Sequence, residues 1–329
     1  MSYTHLNRTE RDLIYRMQFQ GHSQSAIART LGRHKSTISR ELRRYRNVTG
    51  HWWSPGADLK AGLARRRHVS SPKTGSKRLI NSVLRLLRQR WSPMQIANHL
   101  RTIEFPNEPS MWLSHERIYQ YVWDDKARGG TLYKQFRRGG KRYRKRGRNT
   151  KSLGPIKNRV FITARPKHIE QRDRVGDWEG DTMVGRLMKG YIATFVERKS
   201  RLLVARLMPN KRAATLNQAA LRALGNISKD FIHTLTLDNG SEFAHFKELE
   251  QRLKVDVYFA HPYHSWERGT NENTNGLIRQ YFPKKTDFTT ITPAALNAVV
   301  HKLNNRPRKT LGYRTPIDVF NEAVVALRS

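Results

Sequence analysis

A chain of 329 residues with 63 Lys and Arg against 26 Asp and Glu has room for two or three cores. Its formal net charge of +37 favours binding to a polyanion and works against compactness. Cysteine is absent, which excludes disulfides and thiolate metal sites, and no stretch approaches the roughly 18 consecutive apolar residues of a membrane span. The opening residues lack the apolar core of a signal peptide, so the expectation is a soluble, cytoplasmic protein with no membrane partner.

Charge is uneven. Residues 1–150 hold 33 Lys and Arg against 9 acids, and residues 151–329 hold 30 against 17. The first part is expected to grip DNA, and the second to need its acids. Within 1–50, residues 9–46 read as a helix-turn-helix. Thr9 is placed to cap a helix with Leu13, Ile14 and Met17 on one face, and Gly21 ends it. Ser23 starts a second helix, Gly32 supplies the turn, and a third helix carries Ile38 and Leu42 inward. Its outer positions, Lys35, Ser36, Thr37, Ser39, Arg40, Arg43 and Arg44, suit base edges and phosphates of a major groove.

Residues 51–80 read as a basic helix and linker, with Trp52 and Trp53 assigned to local packing. A second helical unit, 81–130, has Leu84, Leu87, Trp91, Ile96, Leu100, Ile118 and Val122 as its core. Ser92-Pro93 starts one of its helices and Ser114 caps another. It is helix-turn-helix-like, although the connection 101–113 is long for that motif. Residues 131–160 form a basic linker. Nine of the fifteen residues 137–151 are Lys or Arg, and Arg142, Arg144, Lys145 and Arg146 are candidates for phosphate contact.

From 161 to 329 strands alternate with helices. Strands are expected over 178–184, 191–197, 202–208, 231–237 and 255–260, and helices over 213–224, 242–253, 273–281 and 293–303. That order fits an α/β layer with a mixed five-stranded sheet.

Three acids in this domain sit in segments that fix them. Asp181 lies within the first strand, Asp238 closes another before the turn signal Asn239-Gly240, and Glu272 opens Asn271-Glu-Asn-Thr-Asn-Gly-Leu-Ile-Arg-Gln280. Strand ends and a crossing helix can bring such acids to one point, where hard oxygen donors suit magnesium. Two ions about 3.5–4 Å apart can clamp both ends of a phosphodiester displacement. Positions 272, 275 and 279 share a helical face, which sets Asn275 and Arg279 beside the metal or the DNA backbone. Glu179 and Glu267 compete as ligands or supporting groups, and no histidine spacing resembles a zinc site. A ribosomal-type or membrane-surface protein would share the charge but not the acidic trio.

The segments Trp178-Glu-Gly-Asp-Thr, Thr236-Leu-Asp-Asn-Gly-Ser-Glu-Phe243, Trp266-Glu-Arg-Gly-Thr-Asn-Glu-Asn-Thr-Asn-Gly-Leu-Ile-Arg-Gln-Tyr-Phe-Pro-Lys284 and Asn304-Asn-Arg-Pro-Arg-Lys-Thr-Leu-Gly-Tyr-Arg-Thr-Pro316 resemble the insertion-sequence transposases of the IS-thirty type. Ser36-Thr-Ile-Ser-Arg-Glu-Leu42 is similar to their helix-turn-helix, and 33 residues separate Asp238 from Glu272, as in that family. The resemblance implies an all-α helix-turn-helix part followed by a ribonuclease-H-like integrase catalytic domain. It makes Asp181, Asp238 and Glu272 the catalytic metal ligands, with two magnesium ions (manganese as the substitute). It also implies binding to terminal inverted repeats, strand cleavage, strand transfer into double-stranded target DNA, and a homo-oligomeric synaptic complex. The competing expectation is a non-catalytic DNA-binding regulator derived from a transposase.

Overall fold

The computed structural model describes residues 5–46, 50–67, 75–137, 139, 156, 158–262 and 264–326. It divides into two compact units, Met1–Leu79 and Ile80–Ser329.

In the first unit, α1 (Arg8–Phe19), α2 (Gln24–Thr30), α3 (Lys35–Arg44) and α4 (Ser54–Arg67) follow in order. The first helix starts earlier than Thr9. Asn7 accepts from the Glu10 amide while Glu10 reaches back to the Asn7 amide, a reciprocal cap that satisfies two otherwise unpaired donors. Gly21 and Gly32 end their helices at φ of 80° and 61°, which glycine adopts without strain. Ile14, Ile27, Ile38 and Leu42 form the core, and Trp52 and Ala57 belong to it. The basic helix expected within 51–80, outside the first domain, is therefore packed into this unit. Arg11, buried beneath it, donates to Glu41 at 2.6 Å and to Asp58 of α4 at 2.8 Å.

The second unit opens with α5 (Lys77–Arg88), whose first turn crosses the unit boundary, followed by α6 (Pro93–His99) and α7 (His115–Ala127). Leu84 is half-buried, and Val83, Leu86 and Leu87 point inward in its place. Ser92 and Gln95 form a capping box with Pro93 in the first turn, and Ser114 caps α7. The long connection is not open coil. A π-turn over Leu100–Glu104 and a 3-10 turn over Pro109–Met111 close it, and the Trp112 indole donates to the Phe105 carbonyl at 2.7 Å.

After α8 (Lys167–Gln171) come β1 (Asp177–Val184), β2 (Tyr191–Glu197), β3 (Leu203–Met208), α9 (Ala213–Leu224), β4 (Thr234–Leu237), α10 (Phe246–Leu253), β5 (Asp256–Phe259), α11 (Gly269–Ile278), α12 (Pro293–Asn304) and α13 (Pro316–Ala326). The strand order is β3-β2-β1-β4-β5. Strands β1, β2 and β3 are antiparallel neighbours, and β4 and β5 run parallel to β1. On β2, Ala193 and Phe195 join one core with residues of α9, α10 and α13, and Ile192 and Val196 join another with α11 and α12. A strand covered on both faces carries a nearly continuous apolar run, as Tyr191–Glu197 does. Two helix boundaries move: Ser241–Phe243 is a 3-10 turn ahead of α10, and α11 begins four residues before 273.

Both margins of the sheet are occupied. On β3, the Leu203 amide and carbonyl are bonded by the Asn304 side chain at 2.9 and 2.8 Å. On β5, the Phe259 amide donates to Val160 at 2.8 Å in a parallel bridge with Phe161. Among the described residues no helix is long and apolar enough to cross a membrane.

Candidate active site

Strand alternation sends Glu179, Asp181 and Met183 of β1 toward α11 and leaves Trp178 and Gly180 on the opposite face. Gly180 lets the strand sit close to its neighbours, since a Cβ there would lie 2.7 Å from Leu237 and 3.2 Å from Phe195. The helix α11 has no side-chain cap of its own. Glu179 supplies one from the strand, accepting the Asn271 amide at 2.9 Å, while the Asn271 side chain donates to the Glu179 carbonyl at 2.8 Å. The Thr194 hydroxyl of β2 lies 3.1 Å from Asn271 and 3.0 Å from Asn275. These bonds fix the rotation of α11 over the strand that carries Asp181.

Asp181 accepts from the Thr182 amide at 2.8 Å and from the Asn275 side chain at 2.7 Å. Asp238 follows the end of β4, and the Gly240 amide donates to one of its oxygens at 2.9 Å, closing the expected turn. Its other oxygen takes Arg268 at 3.1 Å. The same guanidinium donates to the Gly180 carbonyl at 3.0 Å and stands 3.7 Å from Asp181. One cation thus lies between two aspartates from parallel neighbouring strands. Burial pushes the Asp181 carboxyl up to about 6, against the pull of Arg268, and the charges of Asp238 and Glu242 add to the rise.

Glu272 lies in the first turn of α11, exposed to solvent. Its spacing from Arg268 and Asn275, four residues after one and three before the other, puts it on the face that meets the aspartates. The structure thus joins Asp181 and Asp238 through Arg268 and leaves Glu272 on the surface; among the described residues no group of three or more potential metal-binding side chains is gathered.

The two competing acids are engaged elsewhere. Glu179 is buried against Asn271 and 3.7 Å from Arg198, and Glu267 accepts from the His261 amide at 2.8 Å. Of Asn275 and Arg279, expected beside the metal or the DNA backbone, Asn275 bonds Asp181, while Arg279 donates to the Val184 carbonyl at 2.7 Å with its guanidinium over Phe288. Sequence reasoning passed over Arg268, although its position four residues before Glu272 marks the same helical face. It also passed over Glu242, a buried acid paired with Lys211 at 3.0 Å.

On α3, Lys35, Ser39, Arg40, Arg43 and Arg44 are exposed, and Ser36 and Thr37 are half-buried. Arg142, Arg144, Lys145 and Arg146 fall outside the described residues.

A mixed sheet whose paired aspartates face a crossing helix, in a chain that also carries a basic helix-turn-helix, defines an integrase-type enzyme of DNA. Residues 173–265 match the integrase core domain and residues 2–45 match a helix-turn-helix domain. The chain is 40% identical to the transposase for insertion sequence element IS4351 of Bacteroides fragilis, covering 97% of this chain and 96% of that one. It is 35% identical to the transposase for IS1086 of Cupriavidus metallidurans, over 98% and 96% of the two chains. It is 36% identical to transposase InsI for IS30A of Escherichia coli, over 97% and 84%. The chain belongs to the IS-thirty family of insertion-sequence transposases, with an integrase catalytic core, and it is a DNA transposase. Relatives of this kind do not favour a non-catalytic regulator.

Proposed function

We propose that Asp181, Asp238 and Glu272 hold divalent metal, magnesium by donor type, and that this centre cuts the ends of the element and joins them to target DNA. The observation that carries the reading is Arg268 between Asp181 and Asp238: two carboxylates that share one cation, one of them raised by burial to about 6, form a place for positive charge. Carboxylate oxygens suit a hard cation. Bound there, two ions would supply positive charge to the attacking and leaving oxygens and to the phosphate between them.

The chain's own residues do the positioning. Asn275 and the Thr182 amide orient Asp181, and the Gly240 amide orients Asp238. Glu179 and Asn271 hold α11 in register, so that Glu272 faces the pair and completes the donor set. With metal held by the aspartates, Arg268 would no longer be needed to offset their charge and would be free to meet a DNA phosphate. The exposed face of α3 reads the terminal inverted repeats, and copies of the chain pair two ends in a synaptic complex.

The test is strand transfer by the purified protein on DNA bearing the element's ends, with and without magnesium, beside Glu272→Gln. Joining that needs magnesium and is lost in the variant is expected. Specific end binding with no metal-dependent cleavage in the unaltered protein would overturn the assignment.

A further inference from the structure

Away from the aspartates, the second unit holds a cavity of about 720 Å³ between the helical segment and the catalytic core. That lies within the roughly 300–1,000 Å³ typical of small-molecule sites. Its wall combines two chemistries. Tyr119, Trp123 and Phe136 line one side, with the Phe136 ring 5.3 Å from Tyr119 and 6.1 Å from Trp123. Arg306, Arg308 and Lys309 line another, and among the described residues none of the lining side chains is acidic.

The cations are costly to keep there. Arg306 donates to the neutral oxygens of Gln95 at 3.0 Å and Gln280 at 2.8 Å, and Arg308 to the Leu303 carbonyl at 2.8 Å. Neither has a carboxylate partner among the described residues. Burial, with the charge of neighbouring arginines, holds Arg306 down to about 10 and Arg308 to about 9. A second cavity of about 250 Å³ shares Asn273, Arg308 and Thr310 with the first and adds Arg172 and Arg201, so the positive track continues along α11. Burying positive charge without a counter-ion costs stability, and an anion entering the cavity would relieve that cost. Aromatic faces beside a cationic groove are the arrangement that binds unpaired nucleotides.

We propose that this cavity takes one unpaired nucleotide of the DNA, its base against Tyr119, Trp123 and Phe136 and its phosphate on Arg306 and Arg308. The proposal rests on the chain being a DNA transposase and names a site separate from the metal-binding acids. Asn273 and Leu277 of α11 line the cavity, so the nucleotide would sit beside Glu272 on the next face of the same helix. Strand ends exposed by cleavage supply unpaired nucleotides, and the cavity would hold one clear of the duplex.

The experiment compares a blunt duplex with the same duplex carrying one unpaired 2-aminopurine nucleotide at either strand's end. The sequence is arbitrary and the protein full-length. Fluorescence anisotropy gives affinity, and the aminopurine emission reports stacking. The protein is expected to bind the unpaired form about 10-fold more tightly, the effect of one stacked base, and to quench the probe. Trp123→Leu, at a half-exposed position, and Arg308→Gln are expected to erase the preference while blunt-duplex affinity stays within about twofold, with thermal melts reporting that the second unit of each variant is folded. Equal affinity for the two duplexes, or an unquenched probe, would overturn the pocket and leave the transposase reading standing. Failure to bind either duplex would overturn both.

Discussion

Replacing Asp181 with asparagine should stabilise the catalytic unit above neutral pH while destroying its chemistry. The carboxyl titrates at about 6 instead of the ordinary 3.8, because it is buried beside Asp238 with a single guanidinium to offset the charge. Between about pH 4 and 6 the folded protein therefore holds more protons than the unfolded chain. Stability from this group is complete below that window and is lost as pH rises through 6. Two pKa units correspond to about 3 kcal/mol at pH 8. The side chain is 22% exposed and partly screened, and the variant weakens the bonds to Arg268 and Asn275, so a net gain of about 1–2 kcal/mol remains. For a domain of this size that is roughly 3–6 °C in Tm. Thermal melts of Asp181→Asn and the unaltered protein, from pH 4 to 8 without divalent metal, should diverge as pH rises. Magnesium should then close the gap by stabilising only the protein that keeps the carboxylate. A variant less stable than the original at pH 8, with the same pH slope, would refute the account of Asp181 as a strained charge.

Asn304→Ala removes both bonds to Leu203 and leaves a strand amide and carbonyl unpaired, so calorimetry should show a loss of about 2–3 kcal/mol. Arg11→Met strands the buried Glu41 carboxylate and should destabilise the first unit by about 3–5 kcal/mol in denaturant titration; the double change with Glu41→Leu should recover much of it. Arg40→Ala on the exposed face of α3 should weaken binding to the element's ends about 10-fold and to unrelated duplexes much less, as read by competition binding. Equal losses on both DNAs would make Arg40 a phosphate contact.

Much of this was legible in the residues. The helix-turn-helix showed in Leu13, Ile14 and Met17 before Gly21 and in Ile38 and Leu42 after Gly32, and the second strand in the run Tyr191–Glu197. Asp238 could be placed because Asn239-Gly240 is a local turn signal, and the Gly240 amide does bond its carboxylate. What escaped depends on partners distant in sequence. Arg268 bonds Asp238 across 30 residues and Gly180 across 88, and no periodicity records such a contact. Glu179 looked like a possible ligand because strand alternation puts it on the face of Asp181. Only the packed helix shows that its carboxylate caps α11. Trp52 sat outside the first domain on the page because the strand bridge from Arg46 that folds it inward leaves no local pattern.

The occupied margins of the sheet bear on how copies of this chain can meet. An open strand invites another chain to extend the sheet, which is how many β-containing proteins dimerise and how unwanted fibres begin. Here Asn304 plugs one side and the segment ending at Phe161 covers the other. With Leu203 and Phe259 already engaged, sheet extension is disfavoured, and assembly through helical faces or through DNA is favoured, since DNA's negative charge offsets the mutual repulsion of chains this basic. On charge alone, at a formal net charge of +37, free copies repel one another, and bound DNA lowers that cost.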